Sequence, residues 1–139
     1  MNQRGNTTFL MVAVLAAVLC VMAQPVRADI YVIVNSASLA VHPDDIKLIY
    51  TGDKEMSSGT KIKPLDNHLA QSEFLDKVMQ LKANRYDALW TMKSFRDGLT
   101  TPSTKSSDSE VIAYVQSVPG AIGYVTSPPP AGVVVLKKY

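Results

Sequence analysis

The side chains best suited to chemistry are Asn67, His68, Gln71 and Ser72, polar residues gathered where a helical pattern begins. Backbone N–H groups in a first helical turn carry partial positive charge. An imidazole that titrates near neutrality and a hydroxyl beside them could together hold a small anion. The same residue types serve equally as ordinary helix caps, and both readings stand. Thr51-Gly52 is a second place of interest, either lining a cleft or ending a helix through a left-handed glycine. His42 precedes Pro43 and reads as a surface residue, and neither histidine has a partner at metal-ligand spacing. Asp44 and Asp45 are adjacent, so they leave a helix on different faces and cannot act as an acid/base pair. No serine sits in a nucleophile elbow. The expectation is a recognition protein rather than an enzyme, with no metal and no cofactor.

The sharpest structural signal is Val118-Pro119-Gly120-Ala121-Ile122-Gly123-Tyr124-Val125. Proline fixes φ and glycine accepts positive φ, so a helix arriving from Glu110 must stop there and an apolar strand leave. Small Ala121 and Gly123 among larger residues predict a strand approached closely on one face.

The chain has 139 residues, and its start reads as a targeting segment. Arg4 among polar residues, the apolar run Phe9 to Met22, and Val26-Arg27-Ala28 match a secretory signal peptide cleaved after Ala28. Cleavage after Ala23 and retention as an anchor are the alternatives. The run falls short of the ~20 apolar residues a spanning helix needs. Residues 1–28 are thus assigned to the signal and 29–139 to one domain, with no membrane insertion after cleavage. The only cysteine, Cys20, leaves with the signal, so the domain relies on its core without disulfides. Arg4 and Arg27 also leave, reducing the 14 Lys and Arg to 12 against 12 Asp and Glu. A balanced charge gives no case for nucleic acid or a membrane surface as partner.

Ile30 to Val34 reads as a buried strand. Pro43 to Thr51 reads as a short helix with Ile46, Ile49 and Tyr50 on its inner face, and Asp53 to Lys61 as a surface loop. Ile62 to Leu65 is a short strand whose Pro64 argues for an edge or a strand end. A helix follows Ser72, with Phe74, Leu75, Val78, Met79 and the stem of Lys82 at helical spacing. Another runs from Asn84 to Arg96 with Ala88, Leu89, Met92 and Phe95 on one face and Trp90 beside it, closed by Gly98. Leu99 to Ser107 is a polar, mobile loop. Ser107-x-x-Glu110 is a capping box ahead of a Val111, Ile112, Val115, Val118 stripe. Pro128-Pro129-Pro130 forbids a tight hairpin between Val125 and a last strand at Val133 to Leu136, so that connection crosses within the sheet. Alternating strands and helices make an α/β layer structure with a mixed sheet.

In order, Val34-Asn35, Ile46-x-x-Ile49-Tyr50-Thr51-Gly52, Ile62-x-Pro64-Leu65, Phe74, Trp90-x4-Phe95-x2-Gly98 and Pro119-Gly120-Ala121-Ile122-Gly123-Tyr124-Val125 form a pattern. It resembles the substrate-binding proteins of phosphate ABC transporters, and more narrowly their short exported relatives. The resemblance implies one lobe of a type II periplasmic-binding-protein-like fold, helices packed on a mixed sheet. It also implies a periplasmic location, recognition of phosphate or another small anion, and docking to an ABC permease or a sensor protein. The family places an arginine and then Ser-Gly-Thr at the helix start that follows the second strand. Here that segment reads Asn67-His68-Leu69-Ala70-Gln71-Ser72, so the phosphate clamp is not carried over, and Ser58-Gly59-Thr60 falls earlier, in the loop. A single lobe lacks an opposing jaw, which a homodimer would restore. The alternative is an interaction module that docks to a transporter, a sensor or itself with ligand binding lost.

Overall fold

The computed structural model describes residues 27–35 and 39–139. The signal-peptide assignment falls almost wholly outside them. Strands β1 (Tyr31–Val34), β4 (Lys63–Asn67), β5 (Ser103–Lys105), β6 (Ala121–Val125) and β7 (Val134–Lys138) form a five-stranded sheet in the order β5-β4-β6-β1-β7. β4 runs parallel to β5 and β6, whereas β1 is antiparallel to both β6 and β7. The sheet is therefore mixed. The linker through the three prolines crosses β1 to place β7 on its far side, as the proline run requires.

The strand residues alternate between two cores. Val32, Val34, Ile122 and Tyr124 face helices α1 (Asp45–Tyr50), α2 (Gln71–Phe74, continued as a π turn over Leu75–Met79) and α3 (Ala83–Asp97). Ile33, Leu65, Ala121 and Val125 face α4 (Asp108–Ser117) through Val111 and Val115. Covered on both sides, β6 is buried at every position, which explains its uninterrupted apolar run. On the first face Tyr50, Phe74 and Tyr124 form an aromatic cluster, with Phe74 stacked on Tyr124 at 3.8 Å between ring centres. The close approach at Gly123 is real: a Cβ there would lie 2.6 Å from Val111 Cγ1. Gly120 turns the chain at φ +83, and a Cβ on it would meet the Lys61 carbonyl oxygen at 2.2 Å.

Several expectations are corrected. The polar segment 53–61 contains a hairpin, β2 (Met56–Ser57) with β3 (Thr60–Lys61). Ser58 and Gly59, at φ 47 and 78, supply the two positive-φ residues that a tight hairpin turn needs. β4 is an internal strand, so of the two alternatives for Pro64 the edge is corrected and the strand end holds. Pro64 sits near its start, one residue before pairing with β5 begins at Leu65, so the missing N–H costs no ladder bond on that side. The Thr- and Ser-rich segment 99–107 is not only a loop: β5 within it pairs with β4, and Pro102 is buried. An edge strand needs only backbone groups, and its polar side chains suit the solvent side. The inner face of α3 carries Tyr86 and Trp90, while Met92 is 47% and Phe95 94% exposed. Tyr86 and Trp90 win that face because each also satisfies a buried polar partner: Tyr86 donates to Asp66 and Trp90 Nε1 donates to the Tyr50 carbonyl. The last strand begins and ends about one to two residues later than expected.

Candidate functional site

An open groove of about 680 Å³ is lined by His68, Gln71, Ser72, Gln80, Lys82 and Ala83, among others. Two helix starts face it. α2 begins at Gln71 and α3 at Ala83, and neither start has a side-chain cap. The first N–H groups of both helices are thus left without the side-chain acceptor that usually covers such a turn. The chain enters α3 through Gln80, held left-handed at φ 53 after the π turn, which is what brings the second helix start back beside the first. Asp76 also lines the groove and is paired with Arg27 at 3.3 Å. Gln80 accepts from Lys47 Nζ at 3.0 Å.

The sequence-derived site residues divide among separate places. His68, Gln71 and Ser72 come together in the groove. Asn67 does not: it is fully buried, donates to Asp108 at 2.7 Å and to the Tyr124 carbonyl at 3.1 Å, and accepts from Leu69 N at 3.2 Å. It fixes the turn that leads into α2; both of its N–H donors are used, and its burial keeps it out of reach of a ligand. Thr51, the residue that follows α1, has its hydroxyl 2.7 Å from Asp53 Oδ2 and 3.2 Å from the Leu48 carbonyl, to both of which it donates. Gly52, at φ +75, lines a different cavity beside Trp90. Thr51, Gly52 and Asn67 therefore do not belong to the groove.

Two carboxylates that the sequence reading missed organise the molecule. Asp108, in the first turn of α4, accepts at one oxygen from Thr126 N and Oγ1 and from Ser127 N and Oγ, at 2.8–3.1 Å. Its other oxygen accepts from Asn67. Burial pushes its carboxyl up, but the hydrogen bonds from Thr126, Asn67 and Ser127 outweigh that and hold it below the usual carboxylate range. Here the donors around a helix start are satisfied by the protein's own anion. Asp66 is 2% exposed and accepts from Tyr124 at 2.8 Å and Tyr86 at 3.0 Å. In its case burial wins and the carboxyl is held above its ordinary value. Ser107 ahead of Asp108 was legible as a cap. The partners Thr126 and Ser127 were not, because only the β6 topology brings them there.

Among the described residues, no group of three or more His, Cys, Asp or Glu could hold a metal ion, and no helix is long and apolar enough to cross a membrane.

No family model matches the chain, and no curated protein matches it. Among solved structures, the chain is similar to an ABC-type phosphate transport receptor from Vibrio cholerae, at 15% identity and a TM-score of 0.46. The similarity covers 79% of this chain and 46% of that one, so the chain spans about half the length of the receptor it matches.

Proposed function

We propose that the chain is a non-enzymatic, exported recognition lobe of the periplasmic solute-binding type, taking phosphate or another small anion in the groove at His68. The observation that carries this reading is the pair of helix starts, Gln71 and Ala83, that open on one groove without side-chain caps. Their N–H groups attract negative charge, Ser72 adds a hydroxyl, and His68 and Lys82 add donors that can be cationic. The Asp108 cradle cannot serve, because its donors already hold a carboxylate. The N-terminal signal pattern supports the periplasm as the place of action. An ABC permease or a sensor protein would then be the downstream partner.

Calorimetric titration of the purified protein with phosphate, sulfate and molybdate tests this reading. Saturable binding that weakens about tenfold or more in a His68→Ala, Ser72→Ala variant supports it. Silence to all three anions overturns it.

A second reading is favoured by one observation. Phe95 and Met92 stand exposed together on α3, at 94% and 47%. A docking module would use such residues against a transporter, a sensor domain or a second copy of itself. Sedimentation of the protein beside a Phe95→Ser variant distinguishes a self-associating module from a monomer.

A further inference from the structure

A smaller cavity of about 240 Å³ lies away from the His68 groove, at the amino ends of β4 and β5. Its walls are mixed: Trp90 of α3, Pro64 of β4, Tyr114 of α4, and Leu99 and Pro102 from the segment before β5 stand beside polar Thr100, Thr101 and Ser103. Gly52, also on the lining, packs on Leu99 and the indole: a Cβ there would come 3.0 Å from Leu99 Cδ1 and 3.2 Å from Trp90 Cη2, so only a left-handed glycine fits that contact.

The charges on the lining are unequal. Lys54, Lys61 and Lys63 border the cavity, against the single acid Glu55. Lys54 is engaged by Asp45 at 2.9 Å, whereas Lys61 and Lys63, both exposed, make no ion pair among the described residues. Lys61 ends β3 and Lys63 begins β4, so the two unpaired lysines flank buried Ile62 in the chain, and all three residues border the cavity.

We propose that this cavity binds a small aromatic carboxylate, its ring against Trp90 and Leu99 and its carboxylate toward Lys61 and Lys63. Size limits the ligand to about one ring, since the volume lies below the roughly 300–1,000 Å³ of pockets that take drug-sized molecules. The part of the wall made by Trp90, Leu99 and Pro102 offers a bare inorganic anion nothing in return for its hydration and suits a ring. The lysines disfavour an organic cation. The proposal is independent of anion binding in the groove, because the two sites draw on different residues.

Trp90 is the only tryptophan in the chain, so its fluorescence reports directly on this cavity. Benzoate titrated into the purified protein should change that fluorescence saturably. Benzamide and benzylamine, which keep the ring and remove or reverse the charge, should bind at least about tenfold more weakly. A Lys61→Gln, Lys63→Gln variant should lose about tenfold in benzoate affinity, on the order of a fewfold per exposed charge. Both positions are exposed, so this variant should keep the wild-type circular dichroism. The His68→Ala, Ser72→Ala variant should bind benzoate as the unaltered protein does. No saturable change with benzoate, equal binding of benzamide, or unchanged benzoate affinity in the folded double-lysine variant would overturn the proposal.

Discussion

The Tyr124 hydroxyl donates to Asp66 Oδ1 at 2.8 Å while the Tyr124 ring lies flat on Phe74, so one residue of β6 joins the buried carboxylate to the aromatic core. Burial raises the Asp66 carboxyl above 3.8, against hydrogen bonds from Tyr124, Tyr86 and Gln71 that pull it down. The folded chain therefore holds that proton more tightly than the unfolded chain does. Its stabilising contribution is full below about pH 4 and is lost as pH rises through the folded value. Asp66→Asn removes this dependence. Urea unfolding from pH 3.5 to 7 should show the variant gaining on the wild type as pH rises, and parallel curves would contradict the assignment.

Asp108 behaves with the opposite sign. Its lowered carboxyl contributes stability above the unfolded value, and that contribution is lost as pH falls through the folded one. Asp108→Ala leaves Thr126, Ser127 and Asn67 donors without their acceptor and should cost about 2–3 kcal/mol at neutral pH. The loss should shrink on acidification, as read from denaturant midpoints.

Gly123 is tight because of Val111. Gly123→Ala should destabilise the fold by roughly 1–3 kcal/mol through overpacking against Val111 Cγ1. Adding Val111→Ala should recover part of the loss, and a double-mutant cycle measures the coupling.

On α3, Phe95→Ser should leave stability within about 0.5 kcal/mol, because the ring is 94% exposed. Tyr86→Phe, which removes a hydroxyl from Asp66, should cost about 1–2 kcal/mol. Thermal unfolding of the two variants side by side checks which face of the helix is buried.

The parts of the fold that were legible are those where local chemistry and packing agree. Pro119-Gly120 stops α4, Ser107 Oγ accepts from Glu110 N at 3.3 Å, and the triple proline forces the crossing over β1. In the capping box the Glu110 carboxylate reaches Ser106 N, one residue earlier than the usual partner. What escaped was decided by distant partners. β5 exists because β4 offers an open edge, and nothing in Ser103–Lys105 announces a strand. The buried face of α3 follows hydrogen bonds to Asp66 and Tyr50, which hydrophobic periodicity ignores. Of the candidate site, His68, Gln71 and Ser72 share a helix start and could be grouped from sequence. Lys82 and Ala83 join them only because the π turn and Gln80 reverse the chain, a backbone event with no residue signature.

Site-resolved NMR during a phosphate titration bears most directly on the groove as the place of recognition. The expected result is saturable shifts of the backbone amides of Gln71, Ser72, Ala83 and Asn84 and of the His68 ring, with Thr126 and Ser127 unmoved. Unchanged spectra at millimolar phosphate, or shifts centred on Thr126 and Ser127, would contradict it.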